Sequence, residues 1–246
     1  MSLATRAVQV GHFLRRSSHT YVDSSLSVLS FRLTPHLARS ALRFVNALRR
    51  GGADAMLVGG AAVRLHGGPR TTKDLDFNVT KFDKRVQRFV IRAGMTIKPD
   101  EEGRPDRFKI NDPSFPESAK NATKIDLAVF PHLDVSHYTD DFEGVKAADL
   151  RLLLAKKIRC VTVRSHGADN KRQGDLHDMV YCLNRLVLEP DVPCAPLPQE
   201  LIEDVIVRET RFDWKTFWDL VRLFGDEYEV AICEECFPIL GLPVLE

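Results

Sequence analysis

The first third of the chain alternates between helical spacing and short apolar runs. Apolar side chains recur every three or four residues after Thr34-Pro35, which predicts a helix with a Thr cap and proline in its first turn. Gly51-Gly52 ends this helix. The apolar run Ala55–Val58 predicts a buried strand, and Gly59-Gly60 then leads into a second helix at 61–66.

Two further segments have the pattern of strands. Lys73–Val79 alternates strictly, with apolar residues on one face and Asp74, Asp76 and Asn78 on the other. Lys124–Phe130 is rich in residues that favour strands. Between the two, the pattern predicts a helix at 82–93, a strand at 107–110, and loops at 99–106 and 111–121.

Helical spacing dominates the second half of the chain. We predict helices at 147–164, 173–188, 198–209, 213–224 and 228–237, with a Pro-rich linker at 190–198. Residues 1–33 have weak periodicity and many Ser, so we predict an irregular leader there. The predicted organisation is a leader at 1–33, an α/β core at 34–135 and a helical domain at 136–246.

The charge distribution singles out the leader. The 246 residues have a formal net charge of +1, but residues 1–50 contain eight Arg, no Lys and one acid. An Arg- and Ser-rich, acid-poor start is typical of a mitochondrial transit peptide, although a basic leader with no targeting role has the same composition. The expected location is therefore cytoplasmic or mitochondrial.

The remaining composition excludes several classes of protein. With 44% hydrophobic and 28% charged residues, the chain is neither wholly disordered nor a coiled coil. No apolar run approaches the roughly 18 residues of a membrane-spanning helix, so we expect no membrane partner. Five irregularly spaced cysteines do not form a secreted disulfide framework and indicate a reducing compartment.

Three acidic residues and two glycines carry the candidate chemistry. Asp74 and Asp76 leave the same face of a strand, where they are either solvated edge residues or ligands of a hard cation such as Mg²⁺. Gly59-Gly60 allows backbone N–H groups to approach a phosphate, or simply makes a tight turn. If the Lys124–Phe130 strand pairs beside the first, Asp126 joins the other two carboxylates in a two-metal site.

Together these motifs resemble the nucleotidyltransferase fold of the polymerase-beta-like superfamily. The resemblance lies in a strand, Gly59-Gly60, a spacer of thirteen residues, Asp74-Leu75-Asp76 and the distant Asp126. The spacer is similar to the branch that contains AbiEii-type toxin and aminoglycoside nucleotidyltransferases, through Ala62-Val63, Leu65-His66-Gly67, Arg70 and Thr72.

The same resemblance continues into the helical half. Lys156-Lys157 follows a Leu-rich turn, and Asp175 and Asp178 begin the next helix, as in AbiEii-like proteins. It implies that Lys157 contacts nucleotide phosphate and that Asp175 lies near the nucleotide. From the residues alone, a solvated Lys pair and an N-capping Asp175 remain alternatives.

The resemblance implies a fold and an activity. The fold is an α/β (α+β) nucleotidyltransferase core with a mixed sheet, followed by an all-helical C-terminal part. The activity is Mg²⁺-dependent transfer of a nucleoside monophosphate (NMP) from a nucleoside triphosphate (NTP) to a hydroxyl of RNA (such as a tRNA end), a protein or a small molecule. The catalytic and metal-binding residues would be Asp74, Asp76 and Asp126, holding two Mg²⁺ ions. The nucleotide-binding residues would be Gly59, Gly60, Arg70, Thr72, Lys157 and Asp175.

Two expectations from other classes compete with an enzyme. The first is a catalytically inactive scaffold that keeps the fold and binds a nucleotide or a protein. The second is an antitoxin-like or structural partner that uses the helical tail as its interface.

Overall fold

The computed structural model describes residues 28–99, 103–113, 122–131, 137–164, 167–189, 194–208 and 211–245. Its centre is a seven-stranded mixed sheet with the strand order β3-β4-β5-β2-β1-β7-β6. The strands are β1 Ala55–Val58, β2 Asp74–Val79, β3 Thr96–Pro99, β4 Arg107–Asp112, β5 Thr123–Val129, β6 Thr139–Phe142 and β7 Val145–Ala148. This mixed sheet, followed by helices, confirms the predicted fold class.

Helices cover the sheet and form the C-terminal part. They are α1 Val28–Arg32, α2 Pro35–Gly51, α3 Gly59–Leu65, α4 Lys84–Arg92, α5 Leu150–Val163, α6 Asp169–Leu183, α7 Trp214–Phe224 and α8 Glu227–Ile239. Asn184–Leu188 and Leu201–Val207 form wider π-helical turns. In the part of the chain that the structure describes, no helix has the length and apolarity required to cross a membrane.

Strand β2 lies near the middle of the sheet, between β5 and β1. It runs antiparallel to β1 and parallel to β5. Its apolar residues Leu75, Phe77 and Val79 are almost fully buried. Phe77 contacts Phe44 of α2, with 5.2 Å between the ring centroids. The apolar faces of the strand and the helix therefore meet in the core, and the acidic face of β2 lies on the other side of the sheet.

The sheet extends further along the chain than the sequence pattern predicts. The α/β part was expected to end at 135 and a helix to begin at 147, but β6 and β7 belong to the sheet, and Leu57 of β1 pairs with Ala147 of β7. The apolar residues of β7 are continuous in sequence with the Leu-rich start of α5, so the sequence pattern does not distinguish the strand from the helix. The helix begins after Asp149, whose side chain accepts a hydrogen bond from the Leu152 backbone N–H at 2.9 Å.

The predicted leader is partly wrong as well. Its last residues form α1, and Leu29 and Leu33 lie in the core. Residues 1–27 lie outside the described residues, so both interpretations of their Arg-rich composition stay predictions. Strand β3 was also not expected, because its four residues lie among polar and Pro-rich positions.

The aromatic residues of the C-terminal helices belong to the core. Phe217 of α7 stacks on Phe237 of α8 with 5.5 Å between centroids, and Trp218 packs against the same ring. All three are almost fully buried. This aromatic cluster joins α7 to α8 and leaves none of these three rings for ligand stacking.

Candidate active site

Parallel pairing of β2 with β5 brings three carboxylates onto one face of the sheet. Asp76 and Asp126 are register partners, and Asp74 lies two residues before Asp76. Register partners in a parallel pair project to the same side, as do residues two apart on one strand. The three side chains therefore share the face opposite Phe77.

The crowding of these carboxylates has an electrostatic signature. Burial, followed by repulsion from Asp74 and Asp126, raises the pKa of Asp76 to about 7. Burial and then Asp74 also raise the pKa of Asp126. Negative charge is therefore disfavoured here unless a cation compensates for it. Among the described residues, no three His, Cys, Asp or Glu side chains already stand in the arrangement of metal ligands.

Gly59 makes a close approach to the second carboxylate. Its φ is +68°, and a Cβ atom at this position would lie 2.2 Å from Oδ2 of Asp76. Both the backbone conformation and the contact therefore require glycine. At Gly60 a Cβ atom would lie 3.0 Å from Nη2 of Arg70, so this position borders the guanidinium group rather than the carboxylates.

Thr72 and Arg70 hold neighbouring acidic residues. The Thr72 hydroxyl lies 3.1 Å from both the backbone oxygen and Oδ1 of Asp74, and so orients this side chain. Arg70 forms a bidentate pair with Asp178, donating from Nε at 3.0 Å and from Nη2 at 2.6 Å. Arg70 therefore links the loop before β2 to helix α6.

A buried ion cluster surrounds Lys157. Its ammonium group lies 2.8 Å from Asp175 and 2.6 Å from Asp178, and all three side chains are nearly inaccessible to solvent. Arg164 also pairs with Asp175. Burial lowers the pKa of Lys157, but the two carboxylates outweigh it, so the net direction is upward. Lys157 is thus a charged, buried bridge between α5 and α6.

Two members of this cluster, Arg164 and Asp178, are not among the predicted site residues. Asp175 and Asp178 are three residues apart on α6 and therefore lie on one face of the helix. The sequence shows that spacing, but only Asp175 of the pair was assigned to the predicted site. Asp175 does not cap a helix, since α6 begins six residues earlier, at Asp169.

All nine predicted site residues line one cavity of about 650 Å³. It lies between the polar face of the sheet and helices α5 and α6. Its wall also contains residues that were not predicted as site residues: Arg104, Arg107, Lys109, Phe130, Arg159 and Lys171. The acidic centre is therefore surrounded by cations, an arrangement that suits a polyanionic ligand held with metal ions.

Lys156 also faces this cavity and differs from its neighbour Lys157. Its ammonium group lies 5.9 Å from the centroid of the Phe130 ring. Burial, followed by repulsion from Arg159, lowers the pKa of Lys156 to about 8. In the described part of the chain this lysine forms no ion pair with a carboxylate, so its charge remains available to a ligand.

Several solved structures are similar to the chain at low sequence identity. JHP933 from Helicobacter pylori is 16% identical, with 85% of this chain and 95% of that one covered and a TM-score of 0.46. A putative nucleotidyltransferase from H. pylori is 18% identical, covering 82% and 93%, with a TM-score of 0.44. An antigenic nucleotidyltransferase-like protein from Paracoccidioides brasiliensis is 18% identical, covering 76% and 90%, with a TM-score of 0.42. No curated protein matches the chain.

The family assignment rests on a family model. Residues 43–227 match the model described as "Nucleotidyl transferase AbiEii toxin, Type IV TA system". The match includes the carboxylates of β2 and β5, the ion cluster of Lys157 and the whole cavity. The chain therefore belongs to the AbiEii nucleotidyl transferase toxin family.

Proposed function

We propose that this protein transfers a nucleoside monophosphate from an NTP to an acceptor hydroxyl and releases pyrophosphate. The register that pairs Asp76 with Asp126 carries the proposal. It gathers three carboxylates beside Gly59, in a cavity whose other walls are cationic. Membership of a nucleotidyl transferase family supports the same reaction.

Asp74, Asp76 and Asp126 would hold two Mg²⁺ ions. Their oxygen atoms are the hard ligands that Mg²⁺ prefers, and the raised pKa values of Asp76 and Asp126 reflect burial first and then repulsion between carboxylates, which a cation would relieve. When bound, the ions would polarise the phosphates and acidify the attacking hydroxyl. Thr72 would keep Asp74 oriented through its hydrogen bond.

The nucleotide would lie along the glycine side of the cavity. Gly59 and Gly60, which lie against Asp76 and Arg70, would offer backbone N–H groups to the phosphates. Arg70 and Lys157 would provide positive potential, because each is fixed beside the cavity by buried carboxylates. Asp175 would act by positioning Lys157, to which it is already bonded.

Asp126 would accept the proton of the attacking hydroxyl. Its side chain shares the face of the sheet with Asp74 and Asp76, so the carboxylate borders the place where the hydroxyl would attack, as a general base must. Attack in line with the leaving pyrophosphate needs alignment and charge neutralisation, so no covalent intermediate on the protein is required.

Incubation with each labelled NTP, Mg²⁺ and either total RNA or cell lysate tests this function. We expect label in one acceptor class, RNA, protein or small molecule, and a loss of at least about a hundredfold in Asp76→Asn. Asp54→Asn, which neutralises an exposed carboxylate outside the cavity, is the matched control. A protein that binds NTP but labels no acceptor would instead be the inactive scaffold.

A further inference from the structure

An exposed aromatic ring lies in the cavity beyond the three carboxylates. Phe130 follows β5 directly, and its backbone N–H donates to the Val79 carbonyl at 2.8 Å, so the strand geometry fixes its position. The residue is 40% exposed, which is unusual for a phenylalanine anchored to a central strand. Its ring is therefore open to a ligand in the cavity.

Two cations lie over this ring. The Arg107 guanidinium carbon lies 5.8 Å from the ring centroid, and the Lys156 ammonium nitrogen lies 5.9 Å from it. Arg159 lines the same part of the cavity. Arg107 already pairs with the exposed Asp106 at 3.6 Å, but Lys156 and Arg159 still repel each other, and an anionic ligand would compensate for their charges.

The pKa of Lys156 supports this description of the wall. Burial lowers it first, and repulsion from Arg159 and Arg107 contributes in the same direction. Cys160 and then Asp76 act in the opposite direction, each more weakly than Arg159. Lys156 and Arg159 are therefore close enough to repel each other beside the ring.

Strands β2 and β5 lie between this part of the cavity and the glycine side. Gly59 follows β1, whereas Arg107 lies on β4, on the far side of β2 and β5. Phe130 lies four residues beyond Asp126 along the direction of β5, or roughly 13 Å. A donor whose triphosphate lies beside Gly59 leaves the β4 side to the molecule that presents its hydroxyl to Asp126.

We propose that Phe130, Arg107 and Lys156 form the subsite for a nucleotide unit of the acceptor. The base stacks on the part of the Phe130 ring that the two cations leave open, and its phosphate contacts the cations. Aromatic stacking accepts any base, and paired cations select phosphate. This inference rests on the nucleotidyl transfer proposed above, and the nucleotide unit belongs either to an RNA 3′ end or to a free nucleotide.

Binding titrations test the subsite without turnover. The full chain carrying Asp76→Asn is titrated with a fluorescent single-stranded RNA of ten nucleotides and, separately, with a nucleoside monophosphate. Adding Phe130→Leu should weaken binding by about tenfold, and Phe130→Trp should preserve it. Adding Lys156→Gln should lower the slope of log K against log salt by about one, whereas Lys84→Gln on exposed α4 should not.

The two ligands identify the source of the nucleotide unit. If Phe130→Leu weakens the binding of RNA but not of the monophosphate, the subsite takes an RNA end. If it weakens the binding of both, the subsite takes a single nucleotide. Equal affinities with and without Phe130→Leu, or equal salt slopes for Lys156→Gln and Lys84→Gln, would overturn the subsite. A loss of Mg²⁺-NTP affinity in Phe130→Leu would also overturn it, because the ring would then serve the donor. Failure of the proposed function is a separate result, the absence of transfer by the wild-type protein.

Discussion

Replacement of Asp76 by Asn should stabilise the protein at pH 8 when no divalent cation is present. Burial, then Asp74 and Asp126, raise the pKa of Asp76 from the ordinary 3.8 to about 7. The native state therefore binds this proton more tightly than the unfolded chain does. The resulting stabilisation is complete below pH 3.8 and is lost as the pH rises through about 7. Because Asn does not ionise, the Asn variant does not lose this stability as the pH rises.

The size of the effect follows from the two pKa values. A tenfold change in proton affinity corresponds to ~1.4 kcal/mol, so a rise from 3.8 to about 7 destabilises the ionised native state by up to ~4 kcal/mol. Roughly 3 kcal/mol of this loss falls between pH 5 and pH 8. Because the Asp76 side chain is partly exposed, solvent screens its repulsion with the other carboxylates and reduces this free-energy difference. We expect the advantage of the Asn variant to grow by about 2 kcal/mol over this interval.

Urea unfolding measures this difference directly. The buried Trp218 provides a fluorescence signal, and EDTA removes divalent cations. The free energies of unfolding of wild type, Asp76→Asn and the exposed control Asp54→Asn are compared at pH 5 and pH 8. Mg²⁺ should then stabilise the wild type more than Asp76→Asn. An advantage of Asp76→Asn that is equal at both pH values, or that Asp54→Asn shares, would refute the electrostatic explanation.

Three further substitutions test other parts of the structure by unfolding and activity measurements. Gly59→Ala should cost about 3 kcal/mol and abolish transfer, whereas Gly103→Ala, at similar positive φ but with nothing within 4 Å, should cost about 1 kcal/mol. Similar costs would contradict the close approach to the carboxylate. Lys157→Met should cost about 3 kcal/mol, because Asp175 and Asp178 lose the buried cation between them and keep only their pairs with Arg164 and Arg70, and Lys156→Met should cost far less. A larger cost for Lys156→Met than for Lys157→Met would show that Lys156, rather than Lys157, is the lysine of the buried ion cluster. Asp149→Ala should cost about 1 kcal/mol through loss of the α5 cap, and an unchanged urea midpoint would argue against that cap.

Local patterns of apolar and polar residues predict much of the fold. The alternation in β2, the apolar run of β1 and the helical spacing of α2 each reflect one buried face, and the structure has all three elements. Strand β7 was missed because its apolar residues are continuous with those of α5, and its pairing with β1 is a long-range contact. Leu29 was placed in an irregular leader because its burial also depends on a distant part of the chain.

In the candidate site, too, the sequence predicts what depends on local spacing and does not predict contacts between distant parts of the chain. The spacing of Asp74 and Asp76 puts them on one face of a strand, which the sequence expresses directly. That Lys157 would be bonded to both Asp175 and Asp178 depends on the packing of α5 against α6, which no spacing specifies. The cationic wall beyond Asp126 was missed for the same reason, since its members come from separate elements.

The central claim is that the α-phosphate, with its nucleoside, moves to an acceptor. The most direct measurement uses NTP labelled at either the α- or the γ-phosphate, with Mg²⁺ and the acceptor fraction, for wild type and Asp76→Asn. We predict that the α-label appears in the acceptor, that the γ-label leaves in an equal amount of pyrophosphate, and that both signals disappear in Asp76→Asn. Transfer of the γ-label to the acceptor, or transfer that survives in Asp76→Asn, would contradict the account.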